Sequence, residues 1–419
     1  MPTTKRPRDT DTDNPAPPPK RLFDIFAPAH PDPSFRWAPA RGPKRACLHA
    51  IHLAPAPSAK VAVFDLDGTL IKSTIGVKKR PKASPFVWAW WRDSVPEKLK
   101  QVHESGYAVV IISNQGIRSA QLDSWKKKMA LIANALPDVP FHLFAATAKD
   151  GHRKPMPGMW RELQAIFAQE RVPIDHQVSF YVGDAAGRTS TNDFASTDRK
   201  FALNVGINFY TPEEYFLNLP AASYELPGFH VSSLKPSELQ AHSPLIQLTC
   251  PPGVILFVGL PCLGKTTFYR KHFAPAGYVH INQDTLKSRS KCIQTAEEAL
   301  AQGKSCVIDN TNRDQQTRKY YLDLAKKTKT PVRCLLFEGS AELAWHNNLY
   351  RAYNLPPSAA KREPERDFVP YMAFTGYSQN YEEPKIDEGF ASIQHVPWVF
   401  EGSEEERRYW SMWLQIDGK

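Results

Sequence analysis

The sequence predicts an α/β protein of two domains, each a mainly parallel sheet flanked by helices. Three observations carry this. Short apolar runs that read as buried strands alternate with helix-length stretches, in two separate series. A Ser- and Pro-rich stretch, 231–252, lies between the series and reads as a linker. The length, 419 residues, suits two or three domains at roughly 100–200 residues each, and 42% hydrophobic residues suffice for sizeable cores.

In chain order, the first segment differs from the rest. Prolines concentrate before residue 58, with the run Pro17-Pro18-Pro19, so residues 1–45 are expected to be a disordered basic tail. Lys5-Arg6-Pro7-Arg8 and Lys20-Arg21 flank an acidic, Pro-rich spacer and read as a two-part import signal, which places the protein in the nucleus. The adjoining Leu22-Phe23-Asp24-Ile25-Phe26 reads either as a partner-docking motif or as the first ordered residues. No apolar run spans a bilayer and the N-terminus has no secretory core, so no membrane partner is expected. The six cysteines are scattered without a CxxC pair, which argues against a disulfide scaffold or a Cys-rich zinc site. With 53 Lys and Arg against 43 Asp and Glu, the net charge of +10 suits a polyanionic partner.

The first domain, 46–230, is built on strands 61–65, 108–113, 141–145 and 179–183, with helices 122–136 and 159–169 between them. Its first strand ends in Asp65-Leu66-Asp67-Gly68-Thr69. Strand C-terminal ends face the ligand crevice of an open parallel sheet, so both acids reach one site beyond the strand. Two carboxylates there can hold Mg²⁺, and one can attack phosphorus while its neighbour moves a proton. The second strand ends in Ser113-Asn114-Gln115-Gly116, with a hydroxyl and backbone N–H groups for phosphate oxygens. Lys154-Pro155 adds a cation, and the strand into Gly183-Asp184 ends in another carboxylate suited to the metal. Asp193 lies further along and is expected to support this site.

The second domain, 253–419, opens with strand 254–259 and continues through strands 305–309 and 332–337. Gly259-Leu260-Pro261-Cys262-Leu263-Gly264-Lys265-Thr266 fits GxxxxGK[ST] between that strand and a helix over 267–273, so Thr267 opens the helix beside the phosphates. Loop N–H groups attract phosphate oxygens, Lys265 reaches the β/γ-phosphates of ATP, and Thr266 reaches Mg²⁺. Asp284, after a short strand at His280-Ile281-Asn282, is the candidate base for an acceptor hydroxyl, with a helix N-cap as its alternative role. Asp309 is the candidate acid for the metal water, with Asn310, Thr311, Asn312 and Arg313 as candidates to bind nucleotide or acceptor. Helix 341–351 carries His346, Asn347, Asn348 and Arg351 on one polar side. Arg351 reads either as a clamp on the transferring phosphate or as an exposed helix charge.

The first constellation resembles the haloacid dehalogenase-type phosphatases. That resemblance implies Asp65 as nucleophile, Asp67 as general acid/base, Ser113 and Lys154 as phosphate binders and Asp184 as a magnesium ligand. A phosphatase centre joined to a P-loop kinase centre resembles the polynucleotide kinase 3′-phosphatase family. Longer strings support it, among them Tyr181-Val182-Gly183-Asp184-Ala185-Ala186-Gly187-Arg188, Thr211-Pro212-Glu213-Glu214-Tyr215-Phe216 and Trp345-His346-Asn347-Asn348. The resemblance implies removal of a 3′-phosphate from DNA strand breaks and ATP-dependent phosphorylation of 5′-hydroxyl ends. It also implies a monomer, with repair proteins met through the N-terminal tail. Two departures stand out. The leader is too short and Pro-rich for the forkhead-associated domain of animal members, and Gln283 stands where the family commonly has Arg before the acceptor-site Asp.

A polymer substrate also suits the basic run Gly76-Val77-Lys78-Lys79-Arg80-Pro81-Lys82, read as a DNA contact. Of Trp88, Trp90 and Trp91, at least two are expected in the core, and Lys126-Lys127-Lys128 on a solvated helix face. The competing readings are a small-metabolite phosphatase fused to a small-molecule kinase, an RNA 5′-kinase, and a DNA-end-binding scaffold.

Overall fold

The computed structural model describes residues 34–42, 44–72, 88–191, 193–234, 253–362 and 367–415. The basic run 76–82, the leader 1–33 with its import signal, and most of the linker lie outside them.

The first domain holds a seven-stranded sheet: β1 (Phe35–Arg41), β2 (Cys47–His52), β3 (Val61–Phe64), β4 (Ala108–Asn114), β5 (Phe141–Ala146), β6 (Phe180–Val182) and β7 (Asn208–Tyr210). Their spatial order is β1-β2-β5-β4-β3-β6-β7. The five strands from β5 to β7 run parallel, and β2 joins β5 antiparallel. Residues of β3 alternate between the two faces, as the pleat requires. Ala62 and Phe64 pack with Trp125, Met129 and Leu99, while Val61 and Val63 pack with Trp160, Leu163 and Phe201. Helices thus cover both faces, the condition under which parallel strands are apolar on both sides.

The second domain holds β8 (Val254–Val258), β9 (Val279–Ile281), β10 (Cys306–Ile308), β11 (Val332–Phe337) and β12 (Ser392–Val396), all parallel in the order β12-β11-β8-β10-β9. In each sheet the first parallel strand, β3 or β8, lies between strands reached by crossovers to opposite sides. The crevice at its carboxyl end is the topological switch point.

One expectation is corrected here. The tail assigned to 1–45 contains β1, which pairs antiparallel with β2. Pro39 within it has no N–H to give, which an edge strand tolerates, and the register shifts between Ala38 and Arg41. The polar side of helix Ala341–Tyr353 faces inward, for His346, Asn347 and Asn348 are buried. Their amides and ring find partners there: Asn348 Nδ2 donates to Val369 O at 2.9 Å and its Oδ1 accepts from Val369 N at 3.1 Å. Trp88, Trp90 and Trp91 all pack, half-buried, on the first domain's core. In the lysine triplet, Lys126 lies over the Trp37 ring at 5.4 Å.

Two candidate phosphoryl-transfer sites

The first site gathers at the carboxyl ends of β3, β4 and β6. Asp65 follows β3, and its N–H donates to Val182 O of β6 at 2.9 Å. Its carboxylate is buried and meets Lys154 Nζ at 2.6 Å. Lys154 is itself 2% exposed and sits in a nest of oxygens: Asp198 Oδ1 at 2.7 Å, the Tyr181 hydroxyl at 2.7 Å and Ile112 O at 3.0 Å. Asn114 fixes the lysine's backbone, accepting from Lys154 N at 2.8 Å and donating to Lys154 O at 3.0 Å. Gly68, at φ +88°, has no room for a Cβ, which would collide with the Asp184 carboxylate.

Among the described residues, Asp65, Asp184 and Asp198 bring carboxylate oxygens within 4.8 Å of one another. Three acids share one ammonium. Burial, then repulsion from Asp65 and Asp198, pushes the Asp184 carboxyl well above the usual carboxylate range. Burial raises Asp65 too, and the attraction of Lys154 does not restore it. Such a set lacks positive charge, and a hard divalent cation fits it. Both Asp198 oxygens already meet protein donors, Lys154 at Oδ1 and the Ala185 N–H at Oδ2 (3.0 Å). Asp65 and Asp184 are therefore the pair best placed to hold the ion.

Asp67 is the correction within this site. Its carboxylate lies outside the three-acid set and accepts from Gln115 Nε2 at 2.7 Å. The same Nε2 donates to Ser113 Oγ at 3.0 Å, so one amide aligns the second acid and the hydroxyl. Asp193 does not reach the set. It accepts from the backbone N–H of Ala186 and Arg188 and pairs with the Arg188 guanidinium at 2.9 Å, bracing the loop after Asp184. Sequence reasoning missed Asp198, Tyr181 and the side-chain roles of Asn114 and Gln115. The signal for Asp198 was an acid in the first turn of the buried helix Thr197–Val205.

The second site is a cleft of about 1090 Å³ at the carboxyl end of β8. The loop from Gly259 to Gly264 turns through positive φ at both glycines, and a Cβ at Gly259 would strike Phe337 at 2.9 Å. Lys265 opens helix Lys265–His272 and turns back to donate to Gly259 O at 2.9 Å and Leu260 O at 2.6 Å. Burial pulls its ammonium down to about 8. Thr266 Oγ1 donates to Asp309 Oδ2 at 2.7 Å, and His280 Nε2 donates to the same oxygen at 2.9 Å. Thr266, Thr267, Asp284, Asn310, Thr311 and Arg351 line the same cleft, so the structure brings them together. Asp284 is exposed in the short helix Gln283–Leu286, and Asn282, not Asp284, caps it by accepting from Asp284 N and Thr285 N. Asn312 and Arg313 are structural: Asn312 is buried and donates to Phe257 O at 2.7 Å, and Arg313 donates to Gly376 O at 3.0 Å. Arg351 is half-buried and donates to Asp367 O at 3.3 Å, placing it in the cleft wall.

Residues 60–216 match the family described as polynucleotide kinase 3 phosphatase, and residues 254–368 match an AAA domain. The bifunctional polynucleotide phosphatase/kinase of Schizosaccharomyces pombe is 36% identical over 359 residues, covering 85% of this chain and 83% of the relative. This chain belongs to the bifunctional polynucleotide phosphatase/kinase family. A putative member from Acanthamoeba polyphaga mimivirus is 33% identical, over 84% of this chain and 87% of the relative. The polynucleotide 3′-phosphatase of Arabidopsis thaliana is 35% identical over 180 residues, 38% of this chain and 24% of the relative. The chain is thus an enzyme with a phosphatase domain and a kinase domain, and the two sites fall one in each.

Proposed function

We propose that this chain repairs both ends of a DNA strand break, removing a 3′-phosphate at the first site and phosphorylating a 5′-hydroxyl at the second. The observation that supports this most is the presence of two separate sites in one chain of this family, a three-carboxylate cluster around a buried lysine and a glycine-bounded phosphate loop beneath an open cleft.

At the first site an Asp65 oxygen attacks phosphorus, and the bond from phosphorus to the 3′-oxygen breaks. Asp67 gives its proton to the departing 3′-oxygen, leaving an aspartyl phosphate. Asp67 then takes a proton from water, whose oxygen attacks the same phosphorus, releasing phosphate and restoring Asp65. Ser113 and Lys154 hold the phosphoryl oxygens, and Gln115 keeps Asp67 turned to the site. Asp65 and Asp184 would hold Mg²⁺, which would neutralise phosphoryl charge.

At the second site the loop N–H groups and Lys265 would cradle the phosphates of ATP, and the hydrogen-bonded pair Thr266 and Asp309 would hold its Mg²⁺. Asp284 accepts the proton of the 5′-hydroxyl as its oxygen attacks the γ-phosphorus and the bond to the β-phosphate oxygen breaks. Arg351, in the wall of this cleft, would offset charge on the transferring group.

The test is a nicked duplex with 3′-phosphate and 5′-hydroxyl termini, incubated with ATP and Mg²⁺ beside a matched RNA nick and free nucleotide monophosphates. Conversion of the DNA to 3′-hydroxyl and 5′-phosphate ends is expected, with affinity falling steeply as salt rises. Preference for RNA or for small phosphates would overturn the assignment of substrate.

A further inference from the structure

The loop that carries Lys154 is gripped from two sides. Asn114 holds it from within the phosphatase domain. From the other side, Asn204 Nδ2 donates to Pro155 O at 2.8 Å. The same amide is paired with the backbone of Trp413, donating to its carbonyl and accepting from its N–H, each at 2.7 Å. Met156, fully buried, packs on Leu349 and Leu414. Gly151, at the start of this loop, has the Tyr353 carbonyl 2.8 Å from where a Cβ would stand. Both residues that follow the lysine therefore rest on the segment 409–415 or on groups it holds.

That segment is anchored at several points. The Trp413 ring stacks on His230 at 4.4 Å with Lys200 Nζ 4.9 Å from its centre, and His230 Nε2 donates to Ser411 O at 3.0 Å. Asn354, fully buried, donates to Tyr409 O at 2.7 Å and accepts from Arg161 of the phosphatase domain at 2.6 Å. Three residues before Trp413, Trp410 is buried and its Nε1 donates to Asn347 Oδ1 at 2.8 Å. Asn347 Nδ2 in turn donates to Cys262 O, inside the phosphate loop, at 3.2 Å. One short stretch of chain is thus hydrogen-bonded, through a single asparagine at each end, to the backbone of both catalytic loops.

We propose that the segment 409–415 is a shared bolt: it positions Lys154 through Asn204 and Leu414, and the phosphate loop through Trp410 and Asn347. Neither Asn204 nor Leu414 touches a reacting atom; both are positioning residues. Their leverage comes from Lys154, whose ammonium is fixed within 2.7 Å of two carboxylates. A shift of the loop behind it displaces the ammonium that meets Asp65 and Asp198, and misplacement by about 1 Å costs up to ~10²-fold in rate. The phosphatase site is accordingly completed by residues of the kinase half.

This inference rests on the phosphatase/kinase reading above, and its test keeps the two apart. Full-length wild type, Asn204→Ala, Leu414→Ala, Leu414→Met and Trp410→Phe are assayed for both activities on the nicked duplex. Asn204→Ala and Leu414→Ala should lower kcat for 3′-phosphate release roughly tenfold or more while KM for the duplex and 5′-phosphorylation stay within about twofold. Leu414→Met, which keeps the buried volume, should restore that kcat. Trp410→Phe, which keeps an aromatic six-membered ring but loses the pyrrole ring with its N–H, should raise KM for ATP several-fold and spare the phosphatase. Unchanged phosphatase kcat in both Asn204→Ala and Leu414→Ala overturns the bolt. A parallel fall of both activities in every variant overturns it too, since the segment then only holds the fold. Wild type inert at both termini would instead refute the functional reading.

Discussion

The two phosphate sites of this chain differ in enclosure and in what surrounds the lysine of each. In the phosphatase domain a buried lysine is locked among Asp65, Asp198 and Tyr181, and the surplus is negative: three acids against one ammonium. In the kinase domain the lysine folds onto two loop carbonyls beneath an open cleft, and Asp284 stands exposed in its wall. The first is a preassembled anionic pocket whose donor set suits a divalent cation. The second is an open loop-and-lysine cradle, a form that suits phosphates brought in by a ligand. A site that uses its own carboxylate as nucleophile needs that group buried and fixed. A site that moves a phosphate between two bound substrates needs room for both.

The largest expected effect breaks the comparison at its sharpest point. Asp65→Asn should cut 3′-phosphate release by about a thousandfold or more and leave 5′-phosphorylation within about twofold. Asp284→Asn should do the reverse, lowering kinase kcat by ~10²–10⁴. Asp198→Asn tests whether the third acid acts through Lys154: a loss of roughly tenfold to a hundredfold in phosphatase kcat is expected, smaller than for Asp65, with the kinase unaffected.

The pH responses sharpen the contrast. Lys265 without nucleotide is held down to about 8 by burial, so its charge is present below that pH and lost above it. KM for ATP should be level near pH 7 and climb as pH rises through about 8. The smallest effect concerns stability. Burial alone would lower the His152 imidazolium, but its contacts with Asp150 and Glu162 outweigh burial and raise it from 6.5 to about 9. Its contribution is fully present below about pH 6.5 and disappears as pH rises through about 9. The difference in Tm between wild type and His152→Gln should therefore shrink from pH 6 to pH 10.

Both catalytic loops were legible in the sequence because each is a contiguous string set on an apolar strand. The strands that carry them, β3 and β8, are fully buried on both faces and so read as unbroken apolar runs. What escaped was assembled across elements. Tyr181 reads as a core aromatic of β6, yet its hydroxyl reaches Lys154 from a neighbouring strand. Asp198 is fourteen positions beyond Asp184 (198 − 184), and only the packing of its helix brings it to the set. Asp67 was given to the metal by its spacing from Asp65, but Gly68 turns the chain and Gln115 takes its carboxylate. On helix Ala341–Tyr353 the polar side was legible but its burial was not, because the carbonyls of the phosphate loop and of Trp410 that accept from it come from distant segments. β1 was hidden by Pro39, a residue that argues against a strand except at a sheet edge.

The most direct test of two independent sites acting on one break is complementation. Asp65→Asn and Lys265→Ala proteins are incubated separately and together with the nicked duplex, ATP and Mg²⁺, and both termini are read from one gel. Each alone should process a single terminus, and the mixture should yield 3′-hydroxyl and 5′-phosphate ends on the same molecule. Loss of both products with either folded variant alone would contradict the account.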